Sequence, residues 1–481
     1  MHRTLLERVR VPHVFPLLLG VILACSVLTY VLPSGAYERR PLQIGETTRS
    51  VVVPGTYRSL PKAISPEGIL TGRSTPDEAR PTSLVGFLTA VPRGLESSGD
   101  IIFLIFLVGG VFGILHRTGT ITALLQGLLE RFGRSGRLLT VILMTVVAIG
   151  GSTLGMGEEL IPLVPLFLLV SRRLGYDRVF GVALVFVSAA VGFAAATTNP
   201  FNVQIAQGIA GVPLGSGIGF RLVFFACALV LAILHVLRYG ERVRRDPSRS
   251  LVAGEDIAGE ETASSGERLR ATHVAILVTA AVIFAVTLYA IQTQGWWLAE
   301  LSGGFLLIGL AAAAISRLSI ADATTAFVKG MEDMVVAALV VGFARGIQVV
   351  LDDARVLDTI VFGAAQVLQM VPNLVAAEGM LVFQTILNFF IPSGSGQAAV
   401  TMPLMAPLAD VLGLTRQIAV FAFTCGDGFS NMVIPTSGIL MAMLGVARVP
   451  YDRWLRFVLP LFVQLILLSA LFLAIGVWIG Y

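Results

Sequence analysis

The chain has 481 residues, 55% of them hydrophobic and only 13% charged, with a mean hydropathy of +0.84 and a net charge of +4. Soluble proteins carry about 25% charged residues, so this balance argues against a large soluble enzyme, and strands of alternating polarity, which a β-barrel would need, are not what the sequence offers. The positive charge is arginine in short loops between apolar runs, which points to membrane topology rather than to nucleic acid.

Apolar runs of roughly 20 residues, the length that crosses a bilayer, recur along the chain and predict an all-α polytopic membrane protein. Arg3, Arg8 and Arg10 precede an apolar run over 14–32. The run resembles a signal peptide, and Ile22-Leu23-Ala24-Cys25 faintly resembles a lipoprotein box, but it continues past Cys25. Residues 1–35 therefore predict an uncleaved first transmembrane helix, ended by Pro33-Ser34-Gly35. Residues 36–81 are too polar for the bilayer and predict an extracytoplasmic loop with one short strand and turn at 51–57.

Residues 82–239 form a first repeat. A span over 101–115 is followed by Arg117, Arg131, Arg134 and Arg137, which mark a cytoplasmic loop holding an interfacial amphipathic helix at 120–132. Segments 138–150 and 160–171 are each about a dozen residues, roughly 20 Å at 1.5 Å per residue, short of the ~30 Å hydrocarbon core. Arg172 and Arg173 return the chain to the side it left, so 138–171 predicts a re-entrant hairpin, with two thin full spans as the alternative. A helix over 179–210 is broken at Thr197-Thr198-Asn199-Pro200, and 221–239 crosses back. Arginines with serines and acids over 240–270 predict a flexible cytoplasmic linker.

A second repeat occupies 271–481. Spans are expected at 272–291 and 298–315, with Trp296 and Trp297 as an interface anchor, then at 334–351. A second hairpin covers 374–412, a second broken helix 417–444, and Arg448, Arg453 and Arg456 precede a last span at 457–479. This places the N-terminus in the cytoplasm and the C-terminus outside, and inverts the second repeat relative to the first. Each half carries the same order of words: Gly94-Leu95-Glu96 and Gly330-Met331-Glu332, then Gly109-x-x-x-Gly113 and Gly342-x-x-x-Gly346, then a polar tip, a proline-bearing run and a broken helix.

The tips read Gly150-Gly151-Ser152-Thr153-Leu154-Gly155-Met156-Gly157-Glu158-Glu159 and Pro392-Ser393-Gly394-Ser395-Gly396-Gln397. Backbone broken at membrane depth must line a polar cavity, and a helix starting there aims unpaired N–H groups and partial positive charge into it, which suits a carboxylate. Ser152, Thr153, Gly155, Thr198, Asn199, Ser393, Gly394, Ser395, Ser430, Asn431, Thr436 and Ser437 are the candidate contacts; their oxygens suit a desolvated cation equally, with Asn199 and Asn431 as positions for Na⁺. Glu158 and Glu159 are costly in a membrane and mark a coupling or substrate-charge site, or else complement the start of the returning helix. Aligning Pro162 with Pro403 puts Ala399 opposite Glu158, so these acids are not repeated. Asp427, between Gly426 and Gly428, is a functional carboxylate or a turn former. Glu96, Asp100, Glu332 and Asp333 stand at span ends and read as solvated. Arg345 either counters a carboxylate or snorkels, and Gln204 and Gln207 are weaker candidates.

These residues resemble the YfcC family, which sits with anaerobic C4-dicarboxylate carrier and arginine/ornithine antiporter relatives in a broad ion-transporter superfamily. The matching words are Gly155-Met156-Gly157-Glu158-Glu159, Gly175-Tyr176-Asp177, Thr198-Asn199-Pro200-Phe201, Pro407-Leu408-Ala409-Asp410, Gly426-Asp427-Gly428-Phe429-Ser430-Asn431 and Ile434-Pro435-Thr436-Ser437-Gly438, with Pro33-Ser34-Gly35-Ala36-Tyr37-Glu38-Arg39 and Val53-Pro54-Gly55-Thr56-Tyr57 near the start. The resemblance implies cation-coupled or exchange transport of a small carboxylate-bearing metabolite. The expectation is thus a secondary transporter of the cytoplasmic (inner) membrane, moving a C4-dicarboxylate or an amino acid, with a basic amino acid antiporter as the runner-up. The expected partners are substrate, lipid bilayer and a coupling ion, Na⁺ or H⁺, with a homodimer open and no cofactor, resident metal or nucleic acid. A passive channel and an intramembrane enzyme are remote, the latter because no histidine lies near the tips, and no P-loop for an ATP-driven pump is present.

Overall fold

Apolar sequence that leaves water has to satisfy its own N–H and C=O groups, and here it does so as helix. The computed structural model describes residues 14–44, 47–124, 127, 136–253, 269–294, 296 and 298–481. Among them, six helices are long and apolar enough to cross a membrane: Gly99–Arg117, Gly136–Leu154, Ile218–Arg245, Leu298–Ile315, Val335–Asp353 and Tyr451–Ile479. The first apolar run forms the helix Val14–Val31.

The element order is the same in both halves. Half one runs through Leu84–Ser97, Gly99–Arg117, the hairpin arms Gly136–Leu154 and Val164–Arg173, a helix from Arg178 to Ala194, a break, Val203–Ala210 and Ile218–Arg245. Half two runs through Ile320–Asp333, Val335–Asp353, Leu357–Leu368, the arms Asn373–Leu387 and Gly394–Val411, Arg416–Ser430, a break, Gly438–Ala447 and Tyr451–Ile479. The first two helices have 14 and 19 residues in each half. The amphipathic helix expected at 120–132, the counterpart of Leu357–Leu368, lies largely outside the described residues, as does Trp297.

The halves interlock by exchange. Leu84–Ser97 of half one packs on Val335–Asp353 of half two, and Ile320–Asp333 of half two packs on Gly99–Arg117 of half one. A Cβ on Gly94 would stand 2.3 Å from the Gly342 carbonyl oxygen and 2.8 Å from the Gly346 nitrogen. Reciprocally, a Cβ on Gly330 would stand 2.2 Å from the Gly109 carbonyl oxygen and 3.0 Å from Gly113 Cα. Only hydrogen fits these gaps, so the recurring Gly-x-Glu and GxxxG words are the two sides of one close backbone contact, made twice. Ala271–Gln294 packs on Leu298–Ile315, which in turn packs on Gly99–Arg117.

The structure corrects three local expectations. The first hairpin arm has 19 residues and is helical through Leu154, rather than a dozen residues ending at Gly150. Gly151 lies at a helix crossing, where a Cβ would be 2.7 Å from the Ala189 carbonyl oxygen, and the Thr153 hydroxyl donates back to the Ile149 carbonyl at 2.7 Å. Residues that resemble breakers are therefore a packing face, and the turn falls later, where Gly155 takes φ +72°. The arm reaches about 28 Å, close to the thickness of the hydrocarbon core.

The linker is the second correction. Helix Ile218–Arg245 carries the chain beyond 240, Asp246 caps a 3₁₀ turn at Pro247–Arg249, and Ser250 Oγ donates to Asp177 at 2.7 Å. Residues 254–268 of the expected linker lie outside the described residues.

The third is the polar segment after the first helix, whose described residues form four strands where one was expected. Ser34–Ala36 pairs with Arg58–Leu60 and Arg39–Ile44 with Thr47–Val52, both antiparallel. This cap is pinned to the end of Val335–Asp353 and the start of Leu357–Leu368. Ser34 Oγ donates to the Ala354 carbonyl at 2.8 Å, Gly35 N to the Arg355 carbonyl at 2.9 Å, and Tyr57 stacks on Phe362 with centroids 4.0 Å apart. The buried Asp358 accepts both guanidinium donors of Arg39, at 2.9 and 3.1 Å, and Tyr37 N at 3.0 Å. Lys62 Nζ donates to the carbonyls of Thr29 and Leu32, a cation on a helix C-terminus, and burial pulls its pKa below the usual lysine value. Asp358→Ala should therefore loosen the cap by about 2 kcal/mol, since charge-assisted bonds are lost at a half-open site. Trypsin should then cut the cap arginines faster with helix content intact; cleavage at the wild-type rate would mean that Asp358 is no anchor.

Candidate functional site

The two broken helices touch at the middle of the molecule. A Cβ on Gly428 would lie 2.4 Å from Ala194 Cα, so the helix ending at Ala194 and the helix Arg416–Ser430 are in backbone contact just before their breaks. Each also crosses its own hairpin arm at a glycine: a Cβ on Gly192 would meet the Ala148 carbonyl oxygen at 2.2 Å, and one on Gly426 the Leu381 carbonyl oxygen at 3.0 Å. By this register Asp427 is the counterpart of Phe193. Both reach the second tip, since a Cβ on Gly394 would lie 3.2 Å from Asp427 Oδ2 and 3.2 Å from Phe193 Cζ.

Beside this crossing lies a cavity of about 600 Å³. Gly155, Met156, Gly157 and Glu158 line it from the first tip, and Ser393, Gly394, Ser395 and Gly396 from the second. Asn431, Thr436 and Ser437 contribute from the second break. Of the expected contacts, Gly155, Glu158, Ser393, Gly394, Ser395, Asn431, Thr436 and Ser437 line it.

The second tip is a helix N-terminus. Ser393 accepts from Gly396 N at 3.3 Å and caps Gly394–Val411. The first turn of that helix lines the cavity, and its free N–H groups and dipole favour an anionic group there. A second helix, Gly438–Ala447, also starts at the cavity, capped by Ser437. Thr436 Oγ1 lines the same wall, buried and without a hydrogen-bond partner among the described residues.

Other expected residues hold the frame instead. Ser152 Oγ and Thr197 Oγ1 are 3.0 Å apart, and the nitrogens of Thr197 and Thr198 both donate to the Ser152 carbonyl at 3.2 Å. Asn199 Nδ2 donates to the Gly151 carbonyl at 3.2 Å, while its Oδ1 accepts from Phe201 N at 2.8 Å. These bonds stitch the end of the first arm to the first break. Thr153 bonds back along its own helix, and Gln204 and Gln207 are engaged with the Thr198 carbonyl and the 215–216 turn. Glu159 follows Glu158 in the 3₁₀ segment Glu158–Leu163, its side chain outside the description.

Asp427 stands in the last turns of a continuous helix, not in a turn. Its side chain is fully buried, and neither carboxylate oxygen has a hydrogen-bond partner among the described residues. Beside it is a residue the sequence reading passed over. Asn388 Nδ2 donates to the Asp427 carbonyl at 2.9 Å, to Ser430 Oγ at 2.8 Å and to Asn431 Oδ1 at 3.0 Å. Those acceptors fix the amide orientation and leave Asn388 Oδ1 buried and unpartnered among the described residues. Asp427 and Asn388 thus each leave buried acceptor oxygens without a donor among the described residues, and a buried carboxylate in that state suits a proton or a small cation. The signal for Asn388 was an amide at the end of an otherwise apolar arm.

Two more charged groups line the cavity, Arg345 as one of its two expected alternatives and Asp100 against expectation. Arg345 faces it from Val335–Asp353 with Nη1 donating to Gln348 Oε1 at 2.7 Å, and Asp100, read as a solvated span end, lines it beside Ser97 and Ser98. The exchanged helices put both on the wall.

Comparison with known proteins identifies the family. The family model described as the C4-dicarboxylate anaerobic carrier matches residues 11–478. The chain is 34% identical to YfcC of Escherichia coli K12, provisionally named a basic amino acid antiporter, over 99% of this chain and 98% of that one. It is 28% identical to an uncharacterized protein of Haemophilus influenzae over 97% of each. Among solved structures, the YdaH transporter of Alcanivorax borkumensis aligns over 98% of this chain and 99% of its own at 17% identity with a TM-score of 0.43. MtrF of Neisseria gonorrhoeae, from a class of antimetabolite efflux pumps, aligns over 98% and 96% at 16% identity with a TM-score of 0.41. By the family match and the identity to YfcC, each across nearly the whole chain, this multi-pass membrane protein belongs to the C4-dicarboxylate anaerobic carrier family of transporters.

Proposed function

We propose that the protein is a secondary active transporter that carries a small carboxylate-bearing metabolite across the cytoplasmic membrane by alternating access, coupled to a cation bound at Asp427. The observation that carries this reading is the cavity between the halves, lined by both hairpin tips, with a helix N-terminus and Arg345 on one side and a buried, unpartnered carboxylate behind Gly394. An anion fits the first pair of features. A cation, Na⁺ or H⁺, fits the second, because a carboxylate taken out of water is tolerated only when neutralised. This moves the cation from Asn199 and Asn431, whose amide oxygens already accept an N–H, to the unpartnered carboxylate of Asp427. In this reading the repeats are inverted, the N-terminus is cytoplasmic and the strand cap extracytoplasmic.

A basic amino acid antiporter is the second reading, favoured by Glu158 and Asp100 on the cavity wall, which suit an ammonium group, and by the name given to the E. coli relative. Proteoliposomes separate the two. Labelled succinate should accumulate under an imposed Na⁺ or pH gradient and saturate with concentration. Uptake of ornithine only against internal arginine would favour the antiporter. Flux that rises linearly and never saturates would sink both.

A further inference from the structure

The cap reaches the cavity as well as the helix ends. Strand Thr47–Val52 packs against the hairpin arm Gly394–Val411, and two of its residues, Arg49 and Ser50, line the cavity together with Ser393 and Gly394. Arg49 stands opposite Leu42 in the antiparallel ladder, so its backbone position is set by the sheet register.

The arginines of the cap differ in what neutralises them. Arg39 is gripped by both oxygens of Asp358, and Arg58 lies 3.9 Å from Asp77. Arg49 makes no ion pair among the described residues, and its Nε is buried without an acceptor. A guanidinium holds five donors in a rigid fork and keeps its charge. A solvated surface arginine would satisfy its Nε with water; one that buries it beside a cavity leaves a donor unsatisfied until something enters.

We propose that Arg49 is a substrate-binding residue, donating to a carboxylate of the small molecule held between the tips. The inference rests on the carboxylate reading above and adds that recognition extends beyond the membrane helices to the cap. The carboxylate then lies among the first turn of Gly394–Val411, Arg345 and Arg49. A ligand entering from the cap end meets Arg49 on its way in, so the same contact that binds it also draws the strand onto the second hairpin.

The test is a thermal-shift titration of the full-length protein in detergent with succinate, aspartate and ornithine, comparing wild type, Arg49→Gln, Arg49→Lys and Arg39→Gln. The ligand that stabilises wild type should bind Arg49→Gln about tenfold more weakly or worse, with Arg49→Lys between them, while the unliganded melting point of Arg49→Gln stays at the wild-type value. Arg39→Gln, which breaks an anchor, should lower the unliganded melting point instead. Wild-type affinity in Arg49→Gln overturns the inference and leaves the carboxylate reading standing. An unliganded melting point as low as that of Arg39→Gln also overturns it, by assigning Arg49 to the fold of the cap. Wild type unmoved by all three ligands brings down the carboxylate reading and this inference with it.

Discussion

Asp427→Asn should leave the protein folded and abolish gradient-driven accumulation. The substitution keeps the shape of the side chain and removes its charge. Asp427 is fully buried with both oxygens unpartnered among the described residues, so no hydrogen bond among them depends on its being ionised. Replacing a buried, uncompensated carboxylate by a neutral group is neutral or stabilising, and the melting point should hold or rise. Loss of even an outer-shell partner lowers affinity at an ion site about 10–100-fold, so with the ligand itself gone accumulation under a Na⁺ or pH gradient should fall by that factor or more. Substrate exchange without a gradient should remain measurable, because the carboxylate contacts are elsewhere. The experiment is paired uptake and counterflow in proteoliposomes. Accumulation at the wild-type level in the variant would remove Asp427 from the coupling site.

The second large effect lies in the interlock of the halves. Gly330→Ala and Gly94→Ala should each destabilise by about 3 kcal/mol, at the upper end of what overpacking costs. Each adds a methyl 2.2 or 2.3 Å from a carbonyl oxygen of the opposing helix, and the obstructing atom is backbone in both cases. The helices have to separate, and in lipid no hydrophobic force draws them back, since tails are as apolar as leucine. Gly303→Ala is the control: nothing lies within 4 Å of its Cβ position, and a helix gains slightly from alanine. Thermal unfolding of the purified protein reads all three. Gly94 and Gly330 sit at equivalent contacts, so their losses should be alike; a Gly94→Ala protein as stable as Gly303→Ala would refute the exchanged packing.

Much of the architecture was legible in the residues. Long charge-poor runs mark the helices because an apolar segment outside water has no other way to bond its backbone. The second break was placed within a few residues, because Pro435 has no N–H to continue a helix ladder and Ser437 can cap the next helix. The first tip was misplaced for the same physical reason: glycine and hydroxyl residues serve equally as breakers and as the small face of a helix crossing. Which of the two Gly150-Gly151-Ser152-Thr153 would be depended on Ala189 and Gly192, some forty residues away in sequence. Strands in the cap were under-read because six-residue segments such as Arg39–Ile44 carry no clear alternation and are held by contacts to Ala354, Arg355 and Asp358 from the other half.

The site divides along the same line. Glu158, Ser393, Gly394, Ser395, Asp427, Asn431 and Thr436 stood out in the sequence, because polar groups within apolar runs are costly unless something uses them. Ser152, Thr198 and Asn199 share that signature, yet their bonds go to the Thr197 hydroxyl and to backbone of the first arm and break. Arg49, Asp100, Asn388 and Arg345 join the site only through contacts between elements far apart in the chain. The sequence by itself determined an all-helical multi-pass membrane protein, since composition and helix length are local properties, and its recurring words pointed to two halves with a common order of elements. The tertiary structure alone decided which polar residues face the cavity and which are spent on the frame. It also put a carboxylate where the matching half has Phe193, because a side chain's role at membrane depth is set by what the other half brings against it.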